Sequence, residues 1–140
     1  STANEKEMKA KIADNDIIYV TGGNTFFLLQ EMKRTGADVL IKNAINSGKI
    51  YIGESAGAVI TAPNIEYISS MDSIKKAPNL SNYEALRIVD FYIVPHYLNS
   101  PFQKITSNIV EQYSTKLTLQ PISNNEVVLV KGDKLTILKK

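Results

Sequence analysis

Gly53-Glu54-Ser55-Ala56-Gly57 is a G-x-S-x-G that follows the apolar run Lys49–Gly53 and leads into Ala56-Gly57-Ala58-Val59-Ile60. This pattern suits a nucleophilic serine. The hydroxyl must stand on a tight strand-to-helix turn, where bulky neighbours would clash, so glycines flank it two residues away on each side. A helix opening beneath it supplies backbone N–H groups where negative charge develops. The plain alternative is a glycine-rich turn packed closely on its helix. A serine nucleophile needs a base, and His96 is the only histidine in the chain. It follows the apolar run Phe91–Val94, so it belongs at the carboxyl edge of a sheet, the edge Ser55 would share. Open parallel α/β sheets gather their sites at that edge. Alone, His96 would read as a strand-end residue capping a turn; with Ser55 at the same edge, a catalytic pair is the stronger reading.

A base needs a third group to fix its tautomer. Glu54, Glu66, Asp72 and Asp90 are the nearby carboxylates. Asp72 lies in an irregular segment between nucleophile and base and gives the chain order nucleophile, acid, base; Glu66 is its local competitor. An oxyanion hole needs two donors. The N–H of Ala56, directly after the nucleophile, is one by geometry. The turn Thr21-Gly22-Gly23-Asn24, also at a strand's carboxyl end, can supply a second, because glycine lets the backbone approach a reacting carbonyl. A phosphate-cradling turn is the weaker reading, since neither G-x-G-x-x-G nor Gly-Lys-Ser/Thr follows.

These residues require a scaffold of alternating strands and helices. The stretch 3–13 is rich in helix formers, and Asn15-Asp16 breaks it. Asp16–Val20 is a continuous apolar run ending in glycines, as expected of a parallel strand buried on both faces. Thr25 predicts an N-cap for a helix over Phe26–Arg34 with Phe26, Leu29 and Met32 on one face and Gly36 as its stop. A second helix should start at Asp38 and close at Gly48, before the strand Lys49–Gly53. Residues 61–85 hold two prolines and many Ser and Asn and read as a long functional loop with short elements at most. A strand is expected over Ile88–Val94, a helix over Phe102–Tyr113, and a hairpin of Glu126–Val130 and Leu135–Leu138 around Gly132-Asp133. The reading is one α/β domain, residues 1–140, with a mainly parallel sheet flanked by helices and an antiparallel end.

Composition narrows the chemistry further. The chain has 140 residues, 44% hydrophobic and 21% charged, which suits one globular domain. Sixteen basic against fourteen acidic residues leave a net charge of +2, too even for a nucleic-acid or anionic-membrane surface. The absence of cysteine excludes disulfides, thiolate metal sites and a cysteine nucleophile, and a single histidine excludes multi-histidine metal sites. No cofactor is called for. No apolar run reaches membrane-spanning length, and STANEKEMKAK is no secretory signal, so the expected compartment is the cytoplasm.

Taken together, DIIYVTGGNTFFLLQEMKRTG, KIYIGESAGAVITAPNIEY and VDFYIVPHYLNSPF resemble the dipeptidase E family of serine peptidases, with cyanophycinase as a more distant relative. The resemblance covers about residues 12–138. It implies a flavodoxin-like fold related to class I glutamine amidotransferases and hydrolysis of small peptides. It also implies Ser55 as nucleophile, His96 as base, Asp72 as the triad acid, Gly23 (with Gly22 as the alternative) and Ala56 as oxyanion donors, and Asn24 at the substrate. A carboxylate further along has also been considered for the third role in this family, but the matching stretch, Ser123-Asn124-Asn125-Glu126, is Asn-rich, which favours Asp72. Family members that cut dipeptides with an N-terminal aspartate carry an arginine-bearing segment after the histidine. Here Asn99–Lys104 has no arginine, and Lys104 offers a point charge rather than a bidentate fork. The family also begins with about three strand–helix units before the GGN strand, so on the order of 60–80 residues are expected to be missing at about 30 per unit. A first residue of Ser rather than Met fits a processed or trimmed chain. Apolar strand surface left open by that loss predicts at least a dimer, or association with an N-terminal segment. Two other functions fit the same residues: a catalytically silent binding module, or another acyl hydrolase such as an esterase or amidase.

Overall fold

A computed structural model describes residues 4–140 of the chain. Helix α1 (Glu5–Asp14) is capped by Asn4, whose Oδ1 accepts from the Glu7 N–H at 2.8 Å. Strand β1 (Ile17–Val20) pairs in parallel with β2 (Ile50–Gly53), in the register Ile17 with Ile50 and Val20 with Gly53. The crossover between them runs through α2 (Thr25–Thr35) and α3 (Ala37–Asn46). Gly36 joins these helices at φ 72°, a left-handed conformation that ends α2 and lets α3 begin one residue later. Phe26, Leu29 and Met32 form the buried face of α2, as their spacing requires.

After β2 the short helix α4 (Ala56–Val59) packs against β2, α2 and β3 (Tyr92–Val94). Strand β3 pairs in parallel with β4 (Leu119–Pro121) across α5 (Gln103–Tyr113). Strands β5 (Glu126–Lys131) and β6 (Lys134–Lys139) form an antiparallel hairpin about Gly132, which sits at φ 58°. The parallel sheet is thus divided into β1–β2 and β3–β4 ladders, with helices against them. No helix among the described residues is long and apolar enough to cross a membrane.

Several sequence expectations need correction. The strand expected over Ile88–Val94 is only β3, because the N–H groups of Leu86, Arg87, Ile88 and Val89 are bonded to the carbonyls of Ile60, Ala62 and Thr61. That clamp converts half of an apolar run into a turn. Strand β4 gave no signal: three residues with a terminal proline carry no period. The segment 61–85 does hold only short elements, 3-10 turns at Glu66–Ile68 and Ile74–Lys76 and a bridge between Asn64 and Glu84, yet Ile65, Tyr67 and Ile68 are buried with Phe26, Val59 and Val94. Strands β1 and β2 are buried on one face rather than both, in line with the open apolar surface expected of a chain shorter than the family it resembles. Ile18, Val20 and Tyr51 pack on the core, whereas Ile17, Tyr19, Ile50 and Ile52 are each about half exposed on the other face.

Candidate active site

The turn from β2 to α4 is held by backbone so close that only glycine fits. A Cβ on Gly57 would lie 2.1 Å from the Val20 carbonyl oxygen, and one on Gly53 would lie 2.5 Å from the Gly57 oxygen. The Glu54 N–H donates to that same Val20 oxygen at 2.9 Å. The Tyr51 hydroxyl donates to the Gly57 oxygen at 2.6 Å, and burial pushes its phenol above the ordinary value, so it stays a donor. Between these glycines Ser55 adopts φ 51°, ψ −112°, a conformation costing a non-glycine residue about 1–3 kcal/mol. The turn stands its hydroxyl above the sheet edge. Gly22 borders the hydroxyl: a Cβ there would lie 3.3 Å from Ser55 Cβ and 3.6 Å from Oγ. Gly23 follows at φ 131°, where an L side chain is strained.

His96 follows β3 at φ 59°. Its Nε2 lies 3.0 Å from Ser55 Oγ, and its Nδ1 lies 2.7 Å from Asn124 Oδ1. With the amide oxygen toward the ring, Nδ1 carries the proton and the Nε2 lone pair faces the serine hydroxyl. Phe102 stacks on the imidazole with ring centroids 5.0 Å apart. The turn carrying Asn124 is itself tied down. Its N–H donates to Asn99 Oδ1 at 2.8 Å, and Glu126 Oε2 accepts from both the N–H and the hydroxyl of Ser123 at 2.8 Å. Those Ser123 donors, the backbone one first, hold the Glu126 carboxyl below its ordinary value.

Asp72 does not hold His96. Its Oδ2 accepts from the N–H of Thr25 at 2.8 Å and from the Thr25 hydroxyl at 2.5 Å. The first N–H groups of a helix lack intrahelical acceptors and attract negative charge, so the N-terminus of α2 takes this carboxylate. Asn24 is likewise occupied: it, rather than Thr25, is the N-cap, with Oδ1 accepting from the Phe27 N–H at 2.9 Å and Nδ2 donating to the Ser73 carbonyl at 3.1 Å. The other acids stand apart from His96, with Glu54 bonded by the Tyr19 hydroxyl and Glu66 and Asp90 exposed. Lys104 is exposed as well. Ser55, Gly23, Ala56 and Asp72 line one cavity of about 220 Å³. Asn124 and Phe102 had no assigned role in the sequence reading; the Asn-rich run before β5 was the one available signal for Asn124.

The arrangement can move a proton from a hydroxyl to an imidazole beside the Gly22-Gly23 backbone and the backbone that opens α4, which is the equipment of acyl transfer. Comparison with known proteins points the same way. The model of peptidase family S51 matches residues 1–138. An uncharacterized peptidase of Listeria monocytogenes serovar 1/2a, Lmo0363, is 62% identical over 126 residues, which are 90% of this chain and 62% of that protein. An uncharacterized peptidase of Pasteurella multocida, PM1590, is 55% identical over 133 residues, 95% of this chain and 64% of its own. A peptidase E of Streptomyces coelicolor is 34% identical over 90 residues, covering 64% of this chain and 35% of its own. The crystal structure of a Listeria monocytogenes EGD-e protein assigned as a peptidase E superposes with a TM-score of 0.93 at 56% identity, covering 99% of this chain and 67% of that one. The chain therefore spans somewhat less than two thirds of the length of the first two relatives.

Proposed function

The chain belongs to peptidase family S51, and from that premise we propose that it is a serine peptidase hydrolysing small peptides, with Ser55 as nucleophile and His96 as general base. The observation that carries the reading is the 3.0 Å separation of Ser55 Oγ and His96 Nε2 across a strained turn. Oγ attacks the scissile carbonyl carbon and its proton passes to Nε2. The carbonyl oxygen, now anionic, is met by the N–H of Ala56, which heads α4 ahead of any intrahelical acceptor, and by that of Gly23. His96 then returns the proton to the leaving amine, and water repeats the sequence on the acyl-enzyme.

Asn124 takes the orienting place. It fixes the tautomer but brings no negative charge to stabilise the imidazolium, so its contribution is positional. Asn124→Ala is expected to lower kcat by roughly 10²-fold with little change in KM; steady-state kinetics on a small peptide anilide check this, and an unchanged kcat removes Asn124 from the mechanism.

The test of the reading is covalent. A fluorophosphonate should add once per chain, on Ser55 by peptide mass mapping, and Ser55→Ala should prevent it. Labelling absent from Ser55, or hydrolysis of small peptides unaffected by Ser55→Ala, overturns the proposal.

A further inference from the structure

The cavity beside Ser55 carries information about what the site accepts. Its volume of about 220 Å³ is below the roughly 300–1,000 Å³ usual for ligand pockets, which favours a small group. Val59, Ile68, Met71, Pro95 and Phe102 give it apolar walls, and Val59 and Ile68 are almost fully buried. Thr25 and Asp72 are its polar side chains apart from Ser55 itself. Among the described residues, no lysine or arginine lines it.

The Asp72 carboxylate is fixed in this cavity. Both of its hydrogen bonds, from the Thr25 N–H and hydroxyl, go to Oδ2. Among the described residues Oδ1 takes no hydrogen bond, which leaves it for a ligand. A second carboxylate entering the cavity would meet this like charge with no cation to offset it, whereas an ammonium would gain a charge-assisted hydrogen bond. The first carbonyl carbon of a peptide is two bonds from its amino-terminal nitrogen. A peptide whose first carbonyl sits at Ser55 Oγ therefore carries its ammonium and its first side chain into this same cavity.

We infer that the site takes short peptides with a free amino terminus and a small, uncharged, apolar first residue, and that Asp72 pairs with the terminal ammonium while the apolar walls take the side chain. This rests on the reading of Ser55 as nucleophile. It departs from the aspartyl preference implied by family resemblance, and the arginine-free segment Asn99–Lys104 agrees with that departure.

The experiment is an NMR shift titration of the chain with L-alaninamide, L-aspartic acid α-amide and N-acetyl-L-alaninamide. Alaninamide is expected to bind at least about tenfold more tightly than either of the others. Asp72→Asn keeps an oxygen acceptor for Thr25 and should abolish the advantage of alaninamide over its acetylated form. Equal or tighter binding of the aspartic acid amide, no saturable binding of alaninamide, or an unchanged ratio in Asp72→Asn overturns the inference. Should that variant not fold, the ranking on the unaltered chain decides by itself. The titration reads binding alone: the expected ranking without fluorophosphonate labelling refutes the nucleophile, and labelling without the ranking refutes the pocket.

Discussion

Replacing Ser55 by alanine is expected to lower peptide hydrolysis by roughly 10⁶-fold, because members of a nucleophile–base unit act together and losing one forfeits almost the whole effect. Folding should be retained, since among the described residues Ser55 Oγ bonds His96 alone and the surrounding turn is held by backbone. A second substitution separates chemistry from conformation. At φ 51°, ψ −112°, serine and alanine carry the same backbone strain of about 1–3 kcal/mol, which glycine does not. Ser55→Gly should therefore be as inactive as Ser55→Ala yet more stable. Part of the relief is lost because glycine adds about 0.4–1 kcal/mol of freedom to the unfolded chain. Turnover with a peptide anilide and urea unfolding of both variants check the pair. A glycine variant less stable than the alanine one would show that the turn stores no strain.

The largest expected effect on stability comes from Gly57→Ala. The new methyl would stand 2.1 Å from the Val20 oxygen, which is backbone and already accepts the Glu54 N–H. No rotamer can relieve that contact. Strand β1 and helix α4 would have to part, at a cost of about 4–5 kcal/mol or more. Against a usual net stability of about 5–15 kcal/mol, this removes much or all of the folded population. Gly48 is a useful contrast. A Cβ there meets nothing within 4 Å, and its φ of 99° is the only obstacle, so Gly48→Ala should cost far less. Unfolding midpoints measured side by side give the comparison, and equal midpoints would mean that the elbow is not closely packed.

The route from sequence to site shows which signals were local. The elbow was legible because its requirements lie within five residues: glycine where backbone meets backbone, serine between them, a strand before and small residues after. The pairing with His96 was legible because each residue directly follows a strand, Ser55 after β2 and His96 after β3, although the two strands lie in separate ladders. The partner of His96 was not. Asp72 and Asn124 were separated by chemistry in the sequence, where a carboxylate outranks an amide, but the choice fell to the N-terminus of α2. Its unpaired N–H groups captured Asp72, and the Glu126–Ser123 turn delivered Asn124 instead. Asn24 went the same way, becoming a helix cap because the first turn of α2 needed an acceptor.

By itself, then, the amino-acid sequence determined the α/β alternation, the tight Ser55 turn and the placing of Ser55 and His96 each just after a strand, since each follows from residue types a few positions apart. Tertiary structure decided what no spacing encodes. It cut the Ile88–Val94 run to three paired residues by turning the preceding N–H groups toward residues 60–62, and apportioned acids and amides among competing donors. The physical reason is that a hydrogen-bond acceptor goes to whichever unpaired donor the packed chain brings within reach, and that proximity exists only once the helices and strands have met.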